Sequence, residues 1–339
     1  MKIPKKLFSK SFFGGVWGKA PITLRSCYIM STTVAFSTVA LMLLYAVPGF
    51  LLVKTGAVHK GHISSFAKLL MYVCQPALVI NSITKVSYSP KTLGDMAIVF
   101  AFMFLSQGIM MTAAYAVLRK KTRDPKYRIY SIATAMANCS FMGIPLLEAL
   151  LPEHPEAVSY SAVASLALNI LGWTLASAVI TNDRKHISVK KLIFNPTVLA
   201  FIVAVPLFVT GWSLPWQLPS ALELLSKMTT PLCMFIMGMR LATSSFKGVF
   251  ANPAGYAVIA IKQLIFPATA FLILLFLPID PTIKASVYIM LSCPVASVVL
   301  NFSEMLGEGQ KTAADLVLLG TLLSTVTLPA MMLLMGYLL

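Results

Sequence analysis

Charge is what this sequence has least of: Asp, Glu, Lys and Arg together make up 11% of its 339 residues, against roughly a quarter in an ordinary soluble domain. Acid is scarcest, with 11 Asp and Glu facing 27 Lys and Arg. A chain that is 58% hydrophobic with so few charges can be neither a disordered segment nor a soluble cytosolic enzyme, because its apolar surface has no water-compatible hiding place. Cysteine is sparse too. Cys27, Cys74, Cys139, Cys233 and Cys293 form no CxxC and no metal-ligand spacing, and all but Cys27 fall in apolar segments. A disulfide-stapled secreted domain is therefore excluded, and they read as small packing residues. His59, His62, His154 and His186 all fall between apolar runs, which indicates neither a metal cluster nor a buried proton relay. HExxH, GxSxG and paired-carboxylate constellations are missing as well, so the chain does not read as an enzyme and no cofactor is expected.

What the sequence does have is apolar runs long enough to cross a bilayer, about 20 residues each. Bounded by charge or by Pro and Gly, ten candidate spans emerge: 28–53, 66–84, 93–118, 129–151, 157–181, 194–213, 221–242, 254–277, 283–306 and 312–339. The expected class is an all-α polytopic membrane protein, with the lipid bilayer as its surroundings. The long polar interruptions, 119–128 and 182–191, are too short to be domains. Residues 1–27 form a separate tail in which Lys2, Lys5, Lys6, Lys10, Lys19 and Arg25 alternate with Leu7, Phe8, Phe12, Phe13, Val16 and Trp17. Such a basic amphipathic stretch reads either as a helix lying among headgroups or as a disordered extension, and it lacks the apolar region and cleavage site of a signal peptide.

A formal net charge of +16 would suggest nucleic acid as partner of a soluble protein; here the basic residues sit in loops and set orientation instead. Sixteen Lys and Arg fall in or beside the connections that follow odd-numbered spans, among them Arg119, Lys120, Lys121, Arg123, Lys126 and Arg128. Only Lys85, Lys91, Lys227 and Lys284 fall on the opposite side, where Glu148, Glu153 and Glu156 cluster. The odd connections are thus expected in the cytoplasm and both termini outside, with the tail as the one contrary signal.

The chain also repeats itself. Ala46-Val47-Pro48-Gly49-Phe50 of span one returns as Ala204-Val205-Pro206-Leu207-Phe208 in span six; Pro76 of span two is matched by Pro231 of span seven, and Pro145 of span four by Pro294 of span nine. Five spans per copy is an odd number, so the second copy must be inverted relative to the first. The expected organisation is a first five-helix repeat over 28–181, a cytoplasmic linker over 182–193 and a second repeat over 194–339.

A proline inside a helix removes one donor and frees the carbonyl four residues earlier, so spans four and nine can each part into two half-helices. Their free N-termini would offer unpaired N–H groups and partial positive charge to an anion at mid-membrane. A simple kink is the plainer reading of any single proline. The matched pair, flanked by small polar residues, marks Asn138, Ser140, Gly143, Pro145, Cys293, Pro294, Val295 and Ser297 as candidate substrate-binding residues. Asn81, Gln107, Asn169, Gln263 and Asn301 read as interhelical hydrogen-bonding residues. Span four, five and nine hold no central carboxylate, which disfavours a proton antiporter run by a buried acid pair. Lys262 is the one charge well inside a span, about 12 Å deep at 1.5 Å per residue; it either snorkels to the cytoplasmic side or acts as a positive charge that attracts an anion or holds the helices closed.

Three stretches carry a resemblance: Asn138-x-x-x-Met142-Gly143-x-Pro145-Leu146; Pro294-Val295-Ala296 leading to Ser303-Glu304-Met305-Leu306-Gly307; and Gly49-Phe50-Leu51-Leu52-Val53-Lys54-Thr55-Gly56 followed by Pro76-Ala77-Leu78. Together they resemble the auxin efflux carrier family of bacterial permeases, related to plant PIN-type carriers and more distantly to bile-acid/sodium symporters. The resemblance spans residues 30–339. It implies ten helices in two inverted repeats, broken helices four and nine that cross, and movement of small organic anions such as auxin-like weak acids or malate across a bacterial inner membrane. A secondary transporter working by alternating access is the leading expectation. A receptor that binds such an anion without moving it, and a bile-acid-type sodium symporter, are the alternatives. The coupling ion, H+ or Na+, stays open, and a homodimer is among the assemblies allowed.

Overall fold

The computed structural model describes residues 22–183, 185, 187–212, 214–244, 249–335 and 338. Most of the basic tail lies outside these residues. Its last six belong to the first helix, α1 (Ile22–Lys54), because nothing between Pro21 and Tyr28 breaks a helix.

Helix occupies every apolar stretch. After α1 come α2 (Ile63–Leu69) and α3 (Gln75–Thr84), joined by a wide π turn at Leu70–Cys74, and then α4 (Pro90–Leu118). Helices α5 (Pro125–Ala133) and α6 (Gly143–Leu150) are separated by non-helical chain; α7 (Glu156–Leu171) and α8 (Ser177–Thr181) are joined by a second π turn at Gly172–Ala176. The short α9 (Val189–Ile193) leads into α10 (Pro196–Thr210) and α11 (Leu218–Thr243). Then follow α12 (Pro253–Ala260), a third π turn at Ile261–Ile265, α13 (Phe266–Phe276), α14 (Pro281–Ser292), α15 (Ser297–Leu306) and α16 (Gln310–Met332). Two of the π turns end one residue before an X-Pro pair, Gln75-Pro76 and Phe266-Pro267. A proline ring collides with the carbonyl four residues before it, and the wider turn relieves that collision without ending the helix.

Six helical segments, Ser31–Lys54, Lys60–Thr84, Pro90–Lys121, Glu156–Thr181, Pro253–Phe276 and Gln310–Met332, are long and apolar enough to cross a membrane. The protein is an all-helical, multi-pass membrane protein. Leu, Ile, Val and Phe side chains that would be buried in a soluble core stand exposed along these helices, among them Leu44, Ile109, Phe276 and Val326, as a surface solvated by lipid requires.

Ion pairs and turns define two ends. At one, Lys85 meets Glu223 at 3.0 Å and Lys91 meets Asp280 at 3.4 Å. At the other, Arg128 meets Glu308 at 3.1 Å, Arg240 pairs with Glu304, and Asn252 donates to the Tyr130 hydroxyl at 2.7 Å. Between them α1 lies against α11, α3 against α10 and α11, and α4 against α7. The α1–α11 contact is a backbone contact: Gly49 faces the Phe235 carbonyl and Gly238 faces the Ala46 carbonyl, with no room for a Cβ on either.

Candidate functional site

The two interrupted helices meet where they are interrupted. Residues 134–142 and 293–296 leave the helical path and pair antiparallel at Ala137 and Val295. The Asn138 amide donates to the Pro294 carbonyl at 2.8 Å, and the Ala296 amide donates to the Met136 carbonyl at 3.0 Å. Non-helical backbone at membrane depth survives only where protein satisfies its polar groups, and here each segment satisfies the other. The Ala137 amide is taken by Gln107 Oε1 on α4, at 3.1 Å.

Two expectations are corrected at this crossing. Pro294 lies in its break, but Pro145 is the third residue of α6, where the first-turn amides have no helical partner and a proline costs nothing. The carbonyl that Pro145 frees, on Phe141, accepts the Thr230 hydroxyl of α11 at 3.1 Å. The N-terminus of α6 also offers no open set of amides. Gly143 donates to the Asn138 carbonyl at 3.2 Å, Ile144 to Ser140 at 3.4 Å and Leu146 to Met142 at 3.3 Å. The tight loop Asn138-Cys139-Ser140-Phe141 folds its own carbonyls onto the helix start.

Lys262 does not snorkel. It is fully buried, and its ammonium donates to the carbonyls of Leu291 at 2.7 Å and Cys293 at 3.0 Å while lying over the Phe266 ring. The extended path of a snorkelling lysine would leave those C-terminal carbonyls of α14 without a donor.

A cavity of 990 Å³ opens at the end that carries Lys85 and Lys91 and runs inward between α1, α3 and α11 on one side and α4, α6 and α14 on the other. Its mouth is charged: Lys85, Lys91 and Lys227 alternate with Asp95, Glu148, Glu156 and Asp280. Lys85 and Lys227 both reach Glu223, and Lys91 bridges Asp95 and Asp280, so three lysines and three carboxylates balance in two clusters of three. Asp280, outside the spanning helices, loses hydration by burial, yet the Thr282 amide and hydroxyl and the Lys91 ammonium outweigh that loss and hold its carboxyl below the usual range. Away from the charged groups the lining is mixed, with Asn81, Ser82 and Thr230 set among Met42, Leu78, Ile144, Pro145 and Pro231. The Ser82 hydroxyl is buried there with no partner in the structure.

Beyond the crossing the space between the helices narrows. The spaces near Ser297 and Cys233, and near Asn169 and Asn301, hold only about 30 and 10 Å³, room for a water molecule at most. The pair Arg240–Glu304 lies over the first of these, tying α11 to α15.

The crossing thus brings together Asn138, Ser140, Gly143, Cys293, Pro294, Val295 and Lys262, whereas Pro145 faces the cavity and Ser297 the narrow side. Asn138 Nδ2 is buried and unpartnered at the crossing, and Asn138 is not among the residues that line the cavity. Ser82 and Thr230 were not marked by the sequence, whereas Asn81, read there as an interhelical hydrogen-bonding residue, donates from α3 to the Ser226 hydroxyl of α11 at 3.3 Å. A lone Ser or Thr in an apolar helix gives no signal, since most of them bond to their own backbone.

A bundle of membrane helices with an interrupted pair at its centre and an access cavity from one end defines a membrane transport protein. The chain belongs to the membrane transport protein family, the auxin efflux carrier family of its sequence motifs, whose profile matches residues 34–332. Two relatives are similar over most of its length. An "Uncharacterized transporter" of Methanothermobacter thermautotrophicus is 24% identical over 218 residues, 63% of this chain and 69% of that one. A "Putative malonate transporter" of Rhizobium meliloti is 24% identical over 281 residues, 78% of this chain and 84% of that one.

Proposed function

We propose that this chain is a secondary active transporter of small organic anions, of the dicarboxylate or weak-acid kind, working by alternating access. The observation that carries the reading is the asymmetry about the crossing: a cavity of 990 Å³ on one side and about 30 Å³ on the other. The unpartnered Ser82 hydroxyl in the cavity suits a carboxylate, and the Rhizobium relative's name supports an anion of malonate size. In this reading the ten helical stretches are spans of two inverted five-helix repeats in a plasma membrane. The basic connections, including 119–128, face the cytoplasm, and the cavity opens outward. Purified protein in sealed vesicles is expected to take up at least one of malonate, malate or an indole carboxylate saturably. A ligand that raises the melting temperature but is never moved would make the protein a receptor instead.

The narrow side needs a latch, and Arg240–Glu304 is its one ion pair between α11 and α15 among the described residues. Arg240→Gln is expected to shift the population away from the cavity-open form, slowing the reaction of an impermeant thiol reagent with an Asn81→Cys variant by on the order of 3- to 10-fold. An unchanged labelling rate would remove the latch from the mechanism.

A further inference from the structure

The amine of Lys262 sits where a helix ends in mid-membrane. Helix α14 stops at Ser292, and the last carbonyls of a helix have no partner within it and carry partial negative charge. The two that face inward here, on Leu291 and Cys293, converge on the Lys262 ammonium at 2.7 and 3.0 Å. Carbonyls at the ends of interrupted helices are the groups with which membrane transporters hold a monovalent cation. No carboxylate pairs with Lys262 among the described residues; its ammonium also lies over the face of Phe266, at 5.4 Å from the ring centroid, and near the Cys139 and Cys293 thiols.

An ordinary lysine cap does not account for this. A cap at a wet helix end keeps its hydration, whereas this side chain has no exposure at all, and burying a charge costs far more than burying a neutral donor that could bond the same carbonyls. Neutral donors were available in this setting. Gln263, the next residue, satisfies the Gly320 carbonyl with its amide at 2.7 Å. Gln107 lies 155 residues before Lys262, the same separation as Pro76 and Pro231, and serves the other break in the opposite role, its neutral amide oxygen accepting from the Ala137 amide. A positive charge at the α14 end, where an amide serves elsewhere, points to the charge itself as the required feature.

We propose that the Lys262 ammonium occupies a monovalent-cation site formed by the Leu291 and Cys293 carbonyls, so that the chain carries its own cation and works without Na+. The consequence for transport rests on the function proposed above: a Na+ gradient would not drive it, leaving the proton or the substrate anion itself as the coupled species. The site does not depend on that reading, because it can be measured without substrate.

The test is thermal unfolding of the purified full chain in NaCl, KCl or choline chloride at equal ionic strength, with no organic anion present. Wild type is expected to melt at the same temperature in all three. Lys262→Ala, which vacates the site, should melt lower in choline by on the order of 5–10 °C and recover a saturable part of that loss in NaCl or KCl. Lys262→Ser, which leaves a hydroxyl as a further oxygen ligand, should recover more. Lys262→Met, which fills the space without charge, should melt lower and respond to no cation. A saturable Na+ stabilisation of the wild type would overturn the proposal, as would vacated variants that ignore every cation or are recovered folded in none of the salts. Vesicles that move no organic anion would sink the transport reading and leave these melting curves standing.

Discussion

Gly238→Ala should destabilise the protein by about 3 kcal/mol, and Gly238→Val should leave little folded material, because the added carbon meets backbone rather than a side chain that can turn away. A Cβ at Gly238 would lie within the Ala46 carbonyl and against the Phe50 amide nitrogen. Gly49 presses on the Phe235 carbonyl in the same contact, so neither α1 nor α11 can yield without moving the other. Close backbone approach through small residues is how helices hold together in lipid, where apolar surface gives no net drive to associate. Gly94, with open space around its Cβ position, provides the control: Gly94→Ala should be neutral or stabilise by up to about 1 kcal/mol through helix propensity. Melting temperatures of the two alanine variants in one detergent decide the matter. Equal shifts would mean that α1 and α11 are not held by this contact.

Arg128→Ala should cost about 2–3 kcal/mol, from the Ile180 carbonyl left without its donor and the lost packing of the arginine stem. The guanidinium is buried, donates to the Ile180 carbonyl at 2.6 Å through Nη1 and reaches Glu308 at 3.1 Å through Nη2. It therefore joins α5, the end of α8 and the turn after α15. Arg128→Lys keeps the charge but loses the fork and should fall between wild type and alanine. Glu308→Gln should cost less than Arg128→Ala, since Gln keeps an oxygen for the guanidinium to donate to and the site, 39% exposed, admits water. Thermal unfolding in that order is the expected result; Arg128→Ala melting with the wild type would show that the arginine is only a surface charge.

Arg128 also marks how far the sequence could be read. It counted as one of six basic residues in the connection 119–128, and nothing in a one-dimensional charge count separates a loop arginine from one that turns inward to a carbonyl 52 residues away. Apolar length and bracketing charge located the helices well, because lipid demands about 20 apolar residues for each crossing. The interruption of the fourth and ninth stretches was legible from Gly143, Pro145 and Pro294, though the first break lies ahead of its proline, at 134–142. Proline is tolerated in a first helical turn, so its position alone cannot say on which side of it the helix gives way. The charge of Lys262 was legible and its depth was too, but not its direction. Snorkelling and inward capping start from the same residue ten positions into a helix, and only the neighbouring broken helix decides between them. Ser82 and Thr230 left no mark, since a hydroxyl becomes a site residue only by where the packing points it.

The third π turn has a consequence for chain length. Such a turn holds one residue more than the α-helix around it, and at Ile261–Ile265 it carries two buried polar neighbours with separate duties. Lys262 serves the carbonyls of α14, while Gln263 serves Gly320 and Thr327 of α16. An α-helix turns successive side chains by a fixed 100° or so, and a single deletion here would restore that spacing within the turn, shift Lys262 or Gln263 round the helix and break one of the two attachments. The segment is therefore tolerant of many substitutions at its lipid-facing positions, such as Ile265, yet intolerant of losing any residue at all: its information lies in the count of amino acids as much as in their kinds.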